Sequence, residues 1–215
     1  MPAGPWGRGA VNIFQQLMVK PWQVEQGAIV EQLDERTFAQ ATPKVGLRLF
    51  LVVIMVLFSL MLSAYIERRV FSDWNSLSLP WLLWLNTAIL IASSVAMHYG
   101  LVNARRGKVD GVKAGLSAGG VLAFAFLAGQ LLAWQELVTS GYSVTMDPAN
   151  AFFYMLTGLH GIHVIGGLVA WGRTMAKVRR GLEVGQVRMS VDLCAFYWHF
   201  LLLIWLILFA LMLLT

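Results

Sequence analysis

The side chains with most scope for metal or redox chemistry in this 215-residue chain are His98, His160, His163 and His199, with Cys194 as the single thiol. So small a set cannot supply every ligand of a multi-haem or haem–copper centre. A lone cysteine is neither an internal disulfide nor a metal site. Counted at a helical rise of 1.5 Å per residue, His163 and His199 lie roughly 12 and 9 Å from the basic edge of their segments. Two imidazoles at similar depth are compatible with the axial ligands of a b-type haem. Hydrogen bonding across a helix interface is the competing role and the expected one, since depth alone argues for haem. Phosphate loops, nucleophile elbows and zinc-helix patterns are absent. No residue is assigned as catalytic or as a metal ligand.

These histidines sit in an unusually apolar chain. Hydrophobic residues make up 58% and charged residues 13%, against about 25% charged in soluble domains. Disorder, a disulfide scaffold and an ordinary soluble enzyme are poor fits. Five segments, about 45–65, 80–101, 114–135, 151–171 and 193–215, reach the roughly 20 apolar residues needed to cross a bilayer. Backbone groups in lipid must be satisfied internally, so the fold expected is all-α: a polytopic bundle of five transmembrane helices. Glu136 and Asp192 stand at span boundaries and no acid lies deeper, which argues against a self-contained proton relay.

Of the sixteen Lys and Arg residues, all but Arg68 and Arg69 fall on one side if the N-terminus is cytoplasmic. This predicts an N-in, C-out topology and makes the basic excess topological, with no nucleic-acid partner implied. Residues 1–44 read as a polar cytoplasmic tail. Within it, Val11–Val19 suits either a membrane or partner surface or a loosely ordered stretch.

Polar and small residues inside the spans mark helix contacts. Helix one holds Ser59 and Ser63, and helix two holds Asn86, Ser93, Ser94 and His98. Helix three carries Gly115, Gly119, Ala123 and Gly129, then Gln130. On helix four, Tyr154, Thr157, Gly158 and Gly161 share one face, with His160, His163, Gly166, Gly167 and Ala170 broadly opposite. This distribution predicts a central place for helix four. Helix five gathers Tyr197, Trp198 and His199 toward its inner end and is nearly all aliphatic beyond Trp205.

Two strings carry more than periodicity: AFFYMLTGLHGIHVIGGLVAW at 151–171 and YWHFLLLIW at 197–205. Together with residues 73–94 and 126–137 they resemble subunit III of the haem-copper terminal oxidases, the cytochrome c oxidase subunit III family. The likeness runs from about Pro43 to Leu211 and fits the short five-helix bacterial form. Two family carboxylates are missing: the one eight residues after a helix-one glycine is Ile54 here, and the acid following the WHF string is replaced at Leu202.

The resemblance implies a core subunit of a respiratory oxidase in a bacterial plasma membrane. Haem and copper would be held by partner subunits, catalytic subunit I and subunit II among them. Cytochrome c would be met only through the complex. Subunit III of a ubiquinol oxidase and the accessory protein of nitric oxide reductase share the framework, and a b-haem membrane anchor is the alternative from another class. The residues expected at a subunit interface or a bound phospholipid are His160, Gly161, His163, Gly167, Trp198, His199 and Trp205. Arg105, Arg106, Arg179 and Arg180 are candidates for lipid headgroups.

Overall fold

The computed structural model describes residues 24–72, 74, 80–142, 147–181 and 184–214; the Val11–Val19 stretch lies outside them. The described residues form five helices: α1 (Val24–Arg68), α2 (Leu82–Arg105), α3 (Val109–Thr139), α4 (Pro148–Arg179) and α5 (Val184–Leu213). All five contain a segment long and apolar enough to span a membrane. The chain divides into two compact units, residues 1–48 and residues 49–215. Of the first, the described part is the beginning of α1, helical from Val24.

The helices outrun the apolar segments. At 32 residues, α4 is about 48 Å long, against a hydrocarbon core of about 30 Å. Hydropathy marks only the lipid-facing part, while intrahelical bonding continues through Lys113 at one end of α3 and Arg173, Lys177 and Arg179 at the end of α4. Pro148 opens α4 directly after Asp147 in extended conformation, where a missing N–H costs nothing. Between α2 and α3 only Arg106, Gly107 and Lys108 intervene. Gly107 takes φ +72°, a conformation that side chains with a Cβ seldom adopt.

Within residues 49–215, α2, α3, α4 and α5 form a ring: α2 adjoins α3 and α5, and α4 adjoins the same two. The tightest approach is between α2 and α3. A Cβ on Gly115 would meet the backbone of Gly100 and Ala96, and one on Gly119 would meet Met97. The small-residue face of α3 thus serves helix packing. The membrane segment of α1 docks through large side chains. Phe58 packs on His163 with centroids 5.6 Å apart, and Tyr65 meets Phe152 edge-on at 5.7 Å.

Two expectations change. Ser59 and Ser63 are exposed, and among the described side chains of α1 those buried are Leu51, Ile54, Phe58 and Tyr65. Helix four is a wall of the ring and not its centre. Its line from Phe153 through His160 and Val164 to Gly167 is buried, while Ile162, Ile165, Gly166, Val169 and Ala170 face outward. Glycine spacing cannot tell a helix crossing from an open face, because both tolerate a missing side chain.

Replacing Gly115 by Leu is expected to lower stability by about 1–3 kcal/mol through overpacking. A Cβ at Gly166 would meet nothing within 4 Å, so Gly166→Ala should stay within about 0.5 kcal/mol. Thermal unfolding of both variants in mild detergent compares them.

Candidate functional site

Lipid offers an indole N–H no acceptor, so an indole deep in a span is best satisfied within the protein. Four tryptophans solve this by bonding to a neighbouring helix. Trp198 Nε1 of α5 donates to Ser93 Oγ of α2 at 2.9 Å, and Ser93 Oγ in turn donates a hydrogen bond to the Gly119 carbonyl of α3 at 2.8 Å. Trp205 Nε1 donates to Thr87 Oγ1 of α2 at 3.0 Å. Trp134 of α3 reaches Thr157 Oγ1 of α4 at 3.1 Å, and Trp171 of α4 reaches the Leu116 carbonyl of α3 at 2.7 Å. These bonds join all four sides of the ring except α4–α5. There Gly167 lies against Tyr197 and Trp198, and the Tyr197 hydroxyl donates to the His163 carbonyl at 2.9 Å.

His160 lies inside this frame, fully buried. Its ring is 5.1 Å from that of Trp205 and 5.8 Å from that of Phe126, and Phe126 meets Trp205 edge-on at 5.0 Å. Neither ring nitrogen has a hydrogen-bond partner among the described residues. Between α2 and α3, Asn86 Nδ2 donates to Gln130 Oε1 at 3.4 Å.

The seven expected interface or lipid residues therefore separate. His160, Gly167, Trp198 and Trp205 are buried within the chain and hold helix to helix. In the chain taken by itself they are covered by its own helices. Gly161, His163 and His199 are half-buried. His163 and His199 also point to different neighbours. Nδ1 of His163 donates to the Leu159 carbonyl at 2.7 Å while its ring rests on Phe58 of α1. Nδ1 of His199 shares a 2.6 Å hydrogen bond with Ser94 of α2, and its ring lies 5.6 Å from His98. The two imidazoles thus engage different helices, His163 resting on α1 and His199 bonding α2. His199 is two positions after Tyr197 in α5, which turns them about 200° apart. Equal depth could not reveal that.

Among the four arginine candidates, Arg105 bonds Asp192 of α5 at 3.2 Å with both side chains well exposed. Arg106 and Arg180 are exposed beyond the ends of α2 and α4, and Arg179 ends α4. Thr87, Trp134 and Trp171 were not singled out by the sequence reading. The available signal was the number of tryptophans inside the spans, each with a proton that must be accepted. Ile54 is buried and Leu202 half-buried, so apolar side chains occupy the positions where the family often places acids.

Five apolar helices with a ring joined by indole bonds define a polytopic, all-helical membrane protein. The family model described as cytochrome c oxidase subunit III matches residues 24–214, and the chain belongs to that family. It is 33% identical over 172 residues to cytochrome c oxidase subunit 3 of Thermostichus vulcanus, covering 78% of this chain and 84% of that protein. It is 31% identical over 172 residues to cytochrome c oxidase subunit 3 of Synechocystis sp., covering 77% and 72%. A probable cytochrome c oxidase subunit 3 of Nocardia farcinica is 32% identical over 124 residues, covering 58% and 61%. The resemblance read from residues 151–171 and 197–205 thus holds over most of the chain.

Ser93→Ala removes the acceptor of the Trp198 indole and the donor to Gly119 together. It should cost about 1–3 kcal/mol, the penalty for leaving a buried polar group unpaired. Ser117 bonds only to its own helix at an exposed position, so Ser117→Ala should be close to neutral. Unfolding midpoints in detergent give the comparison.

Proposed function

We propose that this chain is a non-catalytic core subunit of a bacterial respiratory cytochrome c oxidase, a complex that passes electrons from cytochrome c to oxygen and pumps protons. The redox centres belong to partner subunits I and II, and cytochrome c is met only through the assembled complex. This subunit packs beside the catalytic subunit, holds phospholipid against its helices and keeps the complex intact during turnover. It lies in the plasma membrane with its N-terminus cytoplasmic, which accords with the positive-inside rule.

The observation that carries the reading is where the family's signature side chains go. His160, Gly167, Trp198 and Trp205 are used up in contacts between helices of this chain. That is the work of a scaffold. The half-buried His163 and the outward faces of α1 and α4 are then the surfaces available to lipid or a neighbouring subunit.

Purification through a tag in mild detergent should bring down a large catalytic subunit with an a-type haem difference spectrum. A b- or o-type spectrum with a quinol-oxidase partner would transfer the donor to quinol. A colourless chain without partners, even after milder extraction, would overturn the assignment. His163→Leu should weaken subunit association or lipid retention while leaving the haem spectrum of the recovered complex unaltered.

A further inference from the structure

Two basic residues from different helices share one cavity. At the end of the ring that carries the α2–α3 and α4–α5 connections, a cavity of about 260 Å³ lies between α3 and α4, lined by Lys113, Ala114, Ser117, Met175 and Arg179. Lys113 stands on one wall and Arg179 on the other, and no lining residue is acidic. Two other cations at this end are engaged elsewhere, Arg105 by Asp192 and Lys177 by Ser190, each at 3.2 Å. The side chains of Lys113 and Arg179 have no hydrogen bond or ion pair among the described residues. Lys113 lies on the second turn of α3, whose N-terminus adds positive potential, and Arg179 offsets the negative end of α4.

The surface above the cavity is apolar. One and two turns beyond Ser117, α3 exposes Val121 and Phe124. One turn from Met175, α4 offers Gly172, beside which a Cβ would meet nothing within 4 Å. Phe124 meets the Trp171 ring edge-on at 6.2 Å, and the Trp171 indole is itself fixed to Leu116. A dibasic cavity leading into an apolar groove at a membrane-facing helix pair matches an amphiphile with an anionic head.

We propose that this cavity binds an anionic phospholipid, its phosphodiester between Lys113 and Arg179 and an acyl chain along the α3–α4 groove. The proposal rests on the phospholipid-binding part of the proposed function and is independent of the electron donor and the catalytic partner. It selects Arg179 from the four arginine candidates and adds Lys113, which only the helix pairing brings beside it.

The purified complex, stripped of lipid in mild detergent, would be titrated with phosphatidylglycerol or phosphatidylcholine and followed by native mass spectrometry. Phosphatidylglycerol should be retained in preference. Each basic residue near an anionic lipid is worth about five-fold in affinity, so K113Q/R179Q should weaken phosphatidylglycerol binding roughly 25-fold. The pair R106Q/K108Q removes the same charge outside the cavity and should have a much smaller effect. Equal losses in both pairs would mean diffuse surface charge, and unchanged binding in K113Q/R179Q would mean no site; either overturns the proposal. Inorganic phosphate at millimolar concentration should leave the lipid bound, and displacement would reassign the cavity to free phosphate. If K113Q/R179Q does not assemble, the single variants carry the same test at about five-fold each. Should the chain purify without partners, the oxidase assignment falls, while the titration of the free chain still decides this site.

Discussion

An indole N–H in hydrocarbon has no water to accept its proton, and that one requirement organises the helix ring. Lipid tails are as apolar as leucine, so little hydrophobic force draws membrane helices together. Close packing and hydrogen bonds do so instead. Trp134, Trp171, Trp198 and Trp205 each donate a hydrogen bond to the helix beside them. The acceptor hydroxyls of Ser93 and Thr87 then return theirs to backbone carbonyls. Each such bond requires its two helices to be in register, so the tryptophans set axial position as well as proximity.

The small residues make those bonds reachable. Where α2 and α3 cross at Gly100 and Gly115, the backbones are too close for a Cβ, and the short connection through Gly107 starts both helices at the same level. From there Ser93 comes opposite Gly119, and Asn86 lies against Gly129 and Gln130. His160 is held differently, by the faces and edges of Trp205 and Phe126. With its signature residues committed to internal contacts, the subunit meets other molecules through its outer faces and its charged ends.

Much of this was legible from residues alone, and the failures are instructive. The two strings at 151–171 and 197–205 pointed to the family that residues 24–214 match. The glycine line on α3 was readable as a contact face because its spacing repeats every turn. The same reasoning misplaced helix four, since Gly166 and Ala170 are small yet face outward. Depth alone left the neighbours of His163 and His199 open; their rings engage Phe58 on one helix and Ser94 on another.

Sequence by itself determined the number of spans, the all-helical class and the family, because hydropathy over some twenty residues and backbone satisfaction in lipid depend only on local composition. It also marked which residues are too polar or too small to be indifferent to their surroundings. Which helix each of them faces was decided by the tertiary structure alone. Depth along a helix follows from counting, but azimuth acquires a meaning only when a neighbour is present. That is why Lys113 and Arg179, 66 positions apart in the chain, become the two walls of one cavity, while His160 and His163, a single turn apart, serve different sides of the bundle.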